Sequence, residues 1–177
     1  MQYQMRAYLY IKAMFEFVND WCDWNDILSA TEKTFFKTGK HAVVETGSSR
    51  IVIIGSDFVV KWDYDKECVS EIGGCEDEFK KYKETLSTGY AYLLAPVFRF
   101  TYRERYFYVM PKIKHIGRRE HDNKTIDEFT TIYEREWLQK NIGDLHSWNW
   151  GLENNKPIII DYACPPSKDT SDYNTSW

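Results

Sequence analysis

The sequence has little cysteine, little proline and no surplus of either charge. Its four cysteines are Cys22, Cys68, Cys75 and Cys164 in 177 residues. No two make a C-x-x-C pair, and no histidine stands at zinc-finger spacing from them, so a structural zinc site is not expected. The expectation is a reduced, cytoplasmic protein whose cysteines are packed thiols. The formal net charge is −4, so the bulk charge calls for neither nucleic acid nor an anionic membrane as partner. No apolar run approaches the roughly 20 residues that span a bilayer. The first seventeen residues are interrupted by Gln4, Arg6, Lys12 and Glu16, unlike a secretory signal. There is no internal repeat and no low-complexity block.

What is present is aromatic. Seven Trp, thirteen Tyr and ten Phe bring the aromatic share to 17%, within a composition otherwise ordinary for a globular domain. Tyr3, Tyr8, Ile11, Phe15 and Val18 fall near helical spacing, which predicts a helix over 3–22. A second, shorter helix is expected around Asp26–Phe36, with Gly39 as a turn. From His41 the texture changes. His41–Thr46, Arg50–Ile54 and Phe58–Trp62 are β-branched or aromatic runs separated by Gly47-Ser48-Ser49 and Gly55-Ser56-Asp57, which predicts an antiparallel meander.

After Gly73-Gly74, the segment Glu76–Leu86 is helical in pattern, with Phe79, Tyr82 and Leu86 on one face. Tyr92–Phe100 and Arg105–Met110 predict a hairpin across Thr101–Glu104. Thr125–Lys140 reads as a helix with Thr125 as its N-cap. Asn141–Trp150 reads as a loop and Pro157–Asp161 as a short apolar strand. The remainder is rich in Pro, Ser, Thr, Asp and Asn and reads as a polar tail.

The chemistry-bearing stretch is Gly143-Asp144-Leu145-His146-Ser147-Trp148-Asn149-Trp150-Gly151, then Ile158-Ile159-Ile160-Asp161-Tyr162. An aspartate is followed by an asparagine five residues on and an aspartate twelve further. Phosphoryl transfer from ATP needs such a set: one carboxylate to orient the attacking hydroxyl, and an amide oxygen with a second carboxylate to hold Mg²⁺. Hard oxygen ligands, few in number, suit that ion. For any one of these residues alone, an ordinary polar loop explains it equally well.

This string resembles the catalytic and metal-binding loops of the protein-kinase-like superfamily. It is most similar to the aminoglycoside-phosphotransferase and lipopolysaccharide-kinase branch, with its D-L-H-x-x-N pattern, and to small kinase-like proteins of bacteriophages. The resemblance implies Asp144 as the catalytic aspartate, Asn149 and Asp161 as metal ligands, and His146 as a loop brace. It further implies a lysine on the third strand, aimed at phosphates and paired with a helix glutamate. Lys61 stands at the end of the third predicted strand; alone, it reads as a solvated lysine. Glu78 lies seventeen residues on, with Glu71 and Glu76 as rivals. Gly47, Ser48 and Ser49 stand where the family carries its glycine-rich loop, as phosphate-facing backbone or as a plain turn. Met110 to Lys112 stand where the adenine edge would be lined by backbone groups.

The implied fold is α+β and two-lobed. Residues 41–111 would form a small antiparallel-sheet N-lobe and 112–162 a truncated, mostly helical C-lobe. Residues 1–40 would be an N-terminal helical extension and 163–177 a tail. The implied activity is ATP- and Mg²⁺-dependent phosphoryl transfer to a protein or small-molecule hydroxyl. The alternative is a pseudokinase-type module that docks to a host protein. A third reading is an unrelated α+β interaction protein. Three departures from the family bear on these choices: Ile142 replaces the His of H-R-D, Asp161-Tyr162-Ala163 replaces D-F-G, and sixteen residues follow Asp161.

Overall fold

Ala7, Tyr10, Ile11 and Met14 recur at helical spacing and are the buried residues of α1 (Gln2–Met14). The helix ends well short of the expected 22, because the chain turns at residues 15–17 and again before α2. Helix α2 (Trp24–Thr38) starts where the Asp23 carboxylate accepts the N–H groups of Asn25 and Asp26. It ends at Gly39, whose φ of 67° is the left-handed cap that glycine adopts at no steric cost. The computed structural model describes residues 2–46, 50–63, 74–116, 130–142, 145 and 149–162.

Strands β1 (Val43–Thr46), β2 (Arg50–Ile54), β3 (Phe58–Asp63), β4 (Phe98–Tyr102) and β5 (Arg105–Pro111) form one antiparallel sheet in the order β1-β2-β3-β5-β4. The two-residue turn between β4 and β5, Arg103-Glu104, has both φ values positive, the geometry that matches strand twist in a tight hairpin. Alternation along the strands sorts the side chains. Phe58, Val60 and Trp62, with Ile51, Ile53, Phe107 and Val109, point to the core shared with α1 and α2. The Trp62 indole N–H donates to the Trp21 carbonyl, so this large ring is buried with its polar atom satisfied. Each such apolar side chain contributes about 1.5–3 kcal/mol by leaving water.

The chain divides into two compact units, Met1–Phe79 with Pro96–Lys112, and Lys80–Ala95 with Ile113–Trp177. The two N-terminal helices belong to the first unit, packed on the sheet. Helix α3 (Cys75–Thr85) starts in the first unit. The second unit has a 3-10 turn at Ala91–Leu93 and helix α4 (Ile132–Asn141). Its three-stranded sheet is ordered β6 (Lys114–His115), β7 (Trp150–Glu153), β8 (Lys156–Ile159).

Several boundaries differ from expectation. Thr131, not Thr125, caps α4, because Thr131 and Glu134 exchange side-chain-to-backbone bonds in a capping box. Thr125 itself lies outside the described residues. Tyr92 sits in the 3-10 turn rather than in a strand. Trp150 opens β7 rather than closing a loop. The β7–β8 turn is Asn154-Asn155, both with positive φ; asparagine tolerates that conformation, and the dipeptide was the overlooked hairpin signal. No helix among the described residues is long and apolar enough to cross a membrane.

Candidate functional site

The face of the first sheet turned away from α1 and α2 carries the charge. Lys61 lies between Val52 on β2 and Tyr108 on β5, and Asp63 lies opposite Arg50. The start of α3 is tied to this face. Asp63 accepts the Cys75 N–H at 3.2 Å, and Arg105 donates to the Asp63 carbonyl at 3.3 Å.

Glu78 comes in one turn later. Its carboxylate accepts two bonds from the Lys61 ammonium, at 3.0 and 3.2 Å, and one from Arg50 at 3.1 Å. Glu78 is 0% exposed and Lys61 6%. The structure thus brings Lys61 and Glu78 together, and it adds Arg50, which sequence reasoning missed. The signal available for Arg50 was its place opposite Asp63 once the hairpin register is drawn.

The helix is also turned from its expected attitude. The apolar pattern put Phe79, Tyr82 and Leu86 inward and Glu78 at the edge. In the structure Cys75, Glu78 and Thr85 are buried and Leu86 is 49% exposed. Two cations on the sheet, Lys61 and Arg50, take the Glu78 carboxylate, and the buried side of the helix is the one that carries it. The rival glutamates separate as well. Glu76 accepts from the Tyr108 hydroxyl at 2.6 Å and from Arg99 at 2.7 Å, and Glu71 lies outside the described residues.

These surroundings shift neighbouring groups. Burial, and then the nearby Glu78 and Asp63 carboxylates, push the Cys75 thiol well above its usual value. It is an inert thiol rather than a nucleophile. Burial, with the Glu76 carboxylate accepting its proton, raises Tyr108 too. Arg99 lies over the rings of Phe79 and Tyr106, at 4.9 and 4.6 Å, so α3 is held to β4 and β5 by stacking as well as charge.

Met110 is buried on β5 opposite Val59. Lys112 donates its backbone N–H to the Asp57 carbonyl at 3.0 Å and its ammonium to the Gly55 carbonyl at 3.1 Å. Its N–H is therefore engaged by the β2–β3 turn. Gly47, Ser48, Ser49, Asp144 and His146 lie outside the described residues.

In the second unit, register places the remaining two candidates. Trp150 pairs with Ile159, and the pairing runs one step further. The Asn149 carbonyl accepts the N–H of Ile160 at 2.7 Å and approaches that of Asp161 at 3.4 Å. Asn149 and Asp161 are thus neighbours at the open end of one hairpin. The Trp150 indole donates to the Leu145 carbonyl at 3.2 Å, drawing the residue after Asp144 to the same strand. Behind them, the Tyr162 hydroxyl donates to the Ala95 carbonyl at 2.7 Å, and Ala95 N–H to the Ile159 carbonyl at 2.8 Å. An amide and a carboxylate are oxygen donors of the kind Mg²⁺ takes, and here their backbones are adjacent at a braced strand end. Among the described residues, no group of three or more His, Cys, Asp or Glu side chains is placed to hold a metal ion.

Close packing under this hairpin makes it sensitive. A Cβ on Gly151 would lie 2.6 Å from Ile113 Cγ2 and 3.0 Å from the Lys114 carbonyl. Gly151→Ala is expected to cost about 1–3 kcal/mol through overpacking, measured as a lower urea midpoint with an unchanged slope.

Neither family models nor curated proteins match this chain. Among solved structures it is similar to one described as the co-crystal structure of WbdD and the kinase inhibitor LY294002. The identity is 18% and the TM-score 0.42, over 67% of this chain and 31% of that one. The chain spans less than a third of that protein's length.

Proposed function

We propose that the protein is an ATP- and Mg²⁺-dependent phosphotransferase acting on a protein or small-molecule hydroxyl. The observation that carries the proposal is the Lys61 ammonium held on a fully buried Glu78 carboxylate. Buried ion pairs are poor stabilisers, since apolar residues of similar volume serve as well or better. A lysine fixed in this way is suited instead to meet an anion, and here to meet the α/β phosphates. Asn149 and Asp161 would hold Mg²⁺, and their adjacency supports that role. Asp144 would orient the acceptor hydroxyl, with His146 bracing its loop. Gly47, Ser48 and Ser49 would cover the phosphates with backbone N–H groups, and Met110 would stand beside the base.

A second reading, a pseudokinase-type module that binds nucleotide and acts by docking to a host protein, is favoured by the single glycine at 47–49. Two assays separate them. Mg·ATP should raise the melting temperature under either reading. Transfer of label from γ-³²P-ATP to an acceptor or to the chain itself, lost in Asp144→Ala, is expected only of the enzyme. Binding without transfer selects the docking module, and no thermal shift with any nucleotide removes both.

A further inference from the structure

The first sheet ends at β1, and the outer edge of that strand is open. Val43–Thr46 pairs with β2 on one side only. Among the described residues its other side meets no strand. Such a row of backbone donors and acceptors is a template for one strand more. Proline and lysine, common guards of an edge, are absent from 41–46, where Glu45 is the only acid. Val43 is instead 48% exposed. Apolar surface continues onto the end of α2, where the Phe35 ring lies 5.9 Å from His41 and 5.7 Å from Phe36, itself 84% exposed. The opposite edge strand, β4, is more fully engaged. The rings of Tyr3 and Tyr8 on α1 lie against Phe98 and Phe100, and Arg99 donates to Glu76.

The occupant that fits the β1 edge follows from parity. Two copies of one strand pair antiparallel about a twofold axis normal to the sheet. Residues directly opposite each other then share a face, so one residue meets its own copy. Ala42 and Val44 face the core, which leaves His41, Val43 and Glu45 on the other face. Centred on Glu45, the pairing would oppose two carboxylates. Centred on Val44, it would set each Val43 against a carboxylate. Centred on Val43, it sets Val43 on Val43, Ala42 on Val44, and each His41 imidazole opposite the second copy's Glu45 carboxylate. Both His41 and Glu45 are exposed. Among the described residues neither side chain has a hydrogen bond or an ion pair within its own chain. Apolar pairs and donor–carboxylate pairs placed directly across strands are the contacts that stabilise a sheet.

We propose that the β1 edge binds a second copy of this chain, forming a homodimer by antiparallel β1–β1 pairing centred on Val43. The two five-stranded sheets then run on into each other. The proposal stands apart from phosphoryl transfer, since residues 41–45 have no part in the nucleotide site proposed above.

The test is sedimentation equilibrium of the full chain from low to high micromolar concentration. Wild type is compared with Val43→Lys, with His41→Glu, and with the exchange of His41→Glu and Glu45→His together. Wild type should pass from the mass of one chain to that of two. Val43→Lys sets two ammoniums against each other at the axis and should abolish the dimer. His41→Glu opposes carboxylates at two symmetric places and should weaken association by about 5- to 30-fold. The exchange restores an imidazole opposite each carboxylate and should return Kd to within about threefold of wild type. It carries the comparison with His41→Glu should Val43→Lys not fold. A wild-type chain that stays single at every concentration overturns the proposal. A dimer that folded Val43→Lys leaves intact also overturns it, because association then uses another surface. So does a loss in His41→Glu that the exchange fails to recover, because the register is then wrong.

Discussion

Glu78→Ala is expected to lower the stability of the protein by about 3–5 kcal/mol, the cost of breaking a buried ion pair by removing one partner, and to abolish the proposed nucleotide binding. The carboxylate is fully buried and accepts three bonds from two cations. Its removal takes from Lys61 and Arg50 the carboxylate to which both donate. Lys61→Met is milder for folding, since Glu78 keeps Arg50, yet it should remove most affinity for the phosphates.

The contrast separates stability from function. Glu78→Leu combined with Lys61→Met replaces the Lys61–Glu78 pair by an apolar contact, an exchange that is often neutral. The cost that remains is that of Arg50, which still loses its bond to Glu78. The double variant should therefore regain much of the stability lost in Glu78→Ala, read as the urea midpoint, while still failing to bind Mg·ATP. Wild-type affinity in the double variant would show that the pair is structural and would remove the main support for the phosphotransferase.

Asp161→Ala should erase the Mg²⁺-dependent part of nucleotide binding while Asp144→Ala leaves it largely in place. At a hundredfold excess over Kd, a ligand stabilises the folded state by about 2.7 kcal/mol. For a domain of this size that is a melting shift of about 5–10 °C. The shift should vanish in Asp161→Ala with Mg·ATP, because the proposed metal loses its carboxylate. It should persist in Asp144→Ala, whose carboxylate would meet the acceptor rather than the metal. Asp161 is half-buried at a strand end, so the unliganded melting temperatures should differ far less than the liganded ones. Equal loss of the shift in both variants, with both folded, would show that the two aspartates do not have separate roles.

Much of the first sheet was legible because short-range physics decides it. Arg50–Ile54 and Phe58–Trp62 are β-branched or aromatic runs between strong turn residues, and the strands form there, the second extended by one residue to Asp63. Helix ends were less legible, because competing caps look alike in sequence. Thr125 and Thr131 are both acceptable N-caps with a glutamate three residues on, Glu128 and Glu134, so the sequence pattern does not separate them, and the box at the start of α4 is the one made by Thr131 and Glu134. The β7–β8 hairpin is less legible because its turn, Asn154-Asn155, has no glycine and takes its positive φ values on two asparagines. At the site, order along the chain suggested Lys61 with Glu78. Nothing local pointed to Arg50, whose approach follows from β2–β3 register and from the rotation of α3.

By itself, the sequence determined the strand–turn alternation of residues 41–63, the helical segments at both ends of the first sheet, and the spacing of Asp144, Asn149 and Asp161 along the chain. These depend on neighbours a few residues apart, where backbone preference and periodicity act. Only the tertiary structure decided that α3 turns Glu78 inward at the expense of Leu86, that Arg50 joins Lys61 on one carboxylate, and that Lys112 spends its N–H on Asp57. Each of those outcomes is a contest between charge pairing and apolar burial among residues distant in sequence. Such a contest is settled by which groups the folded sheet excludes from water.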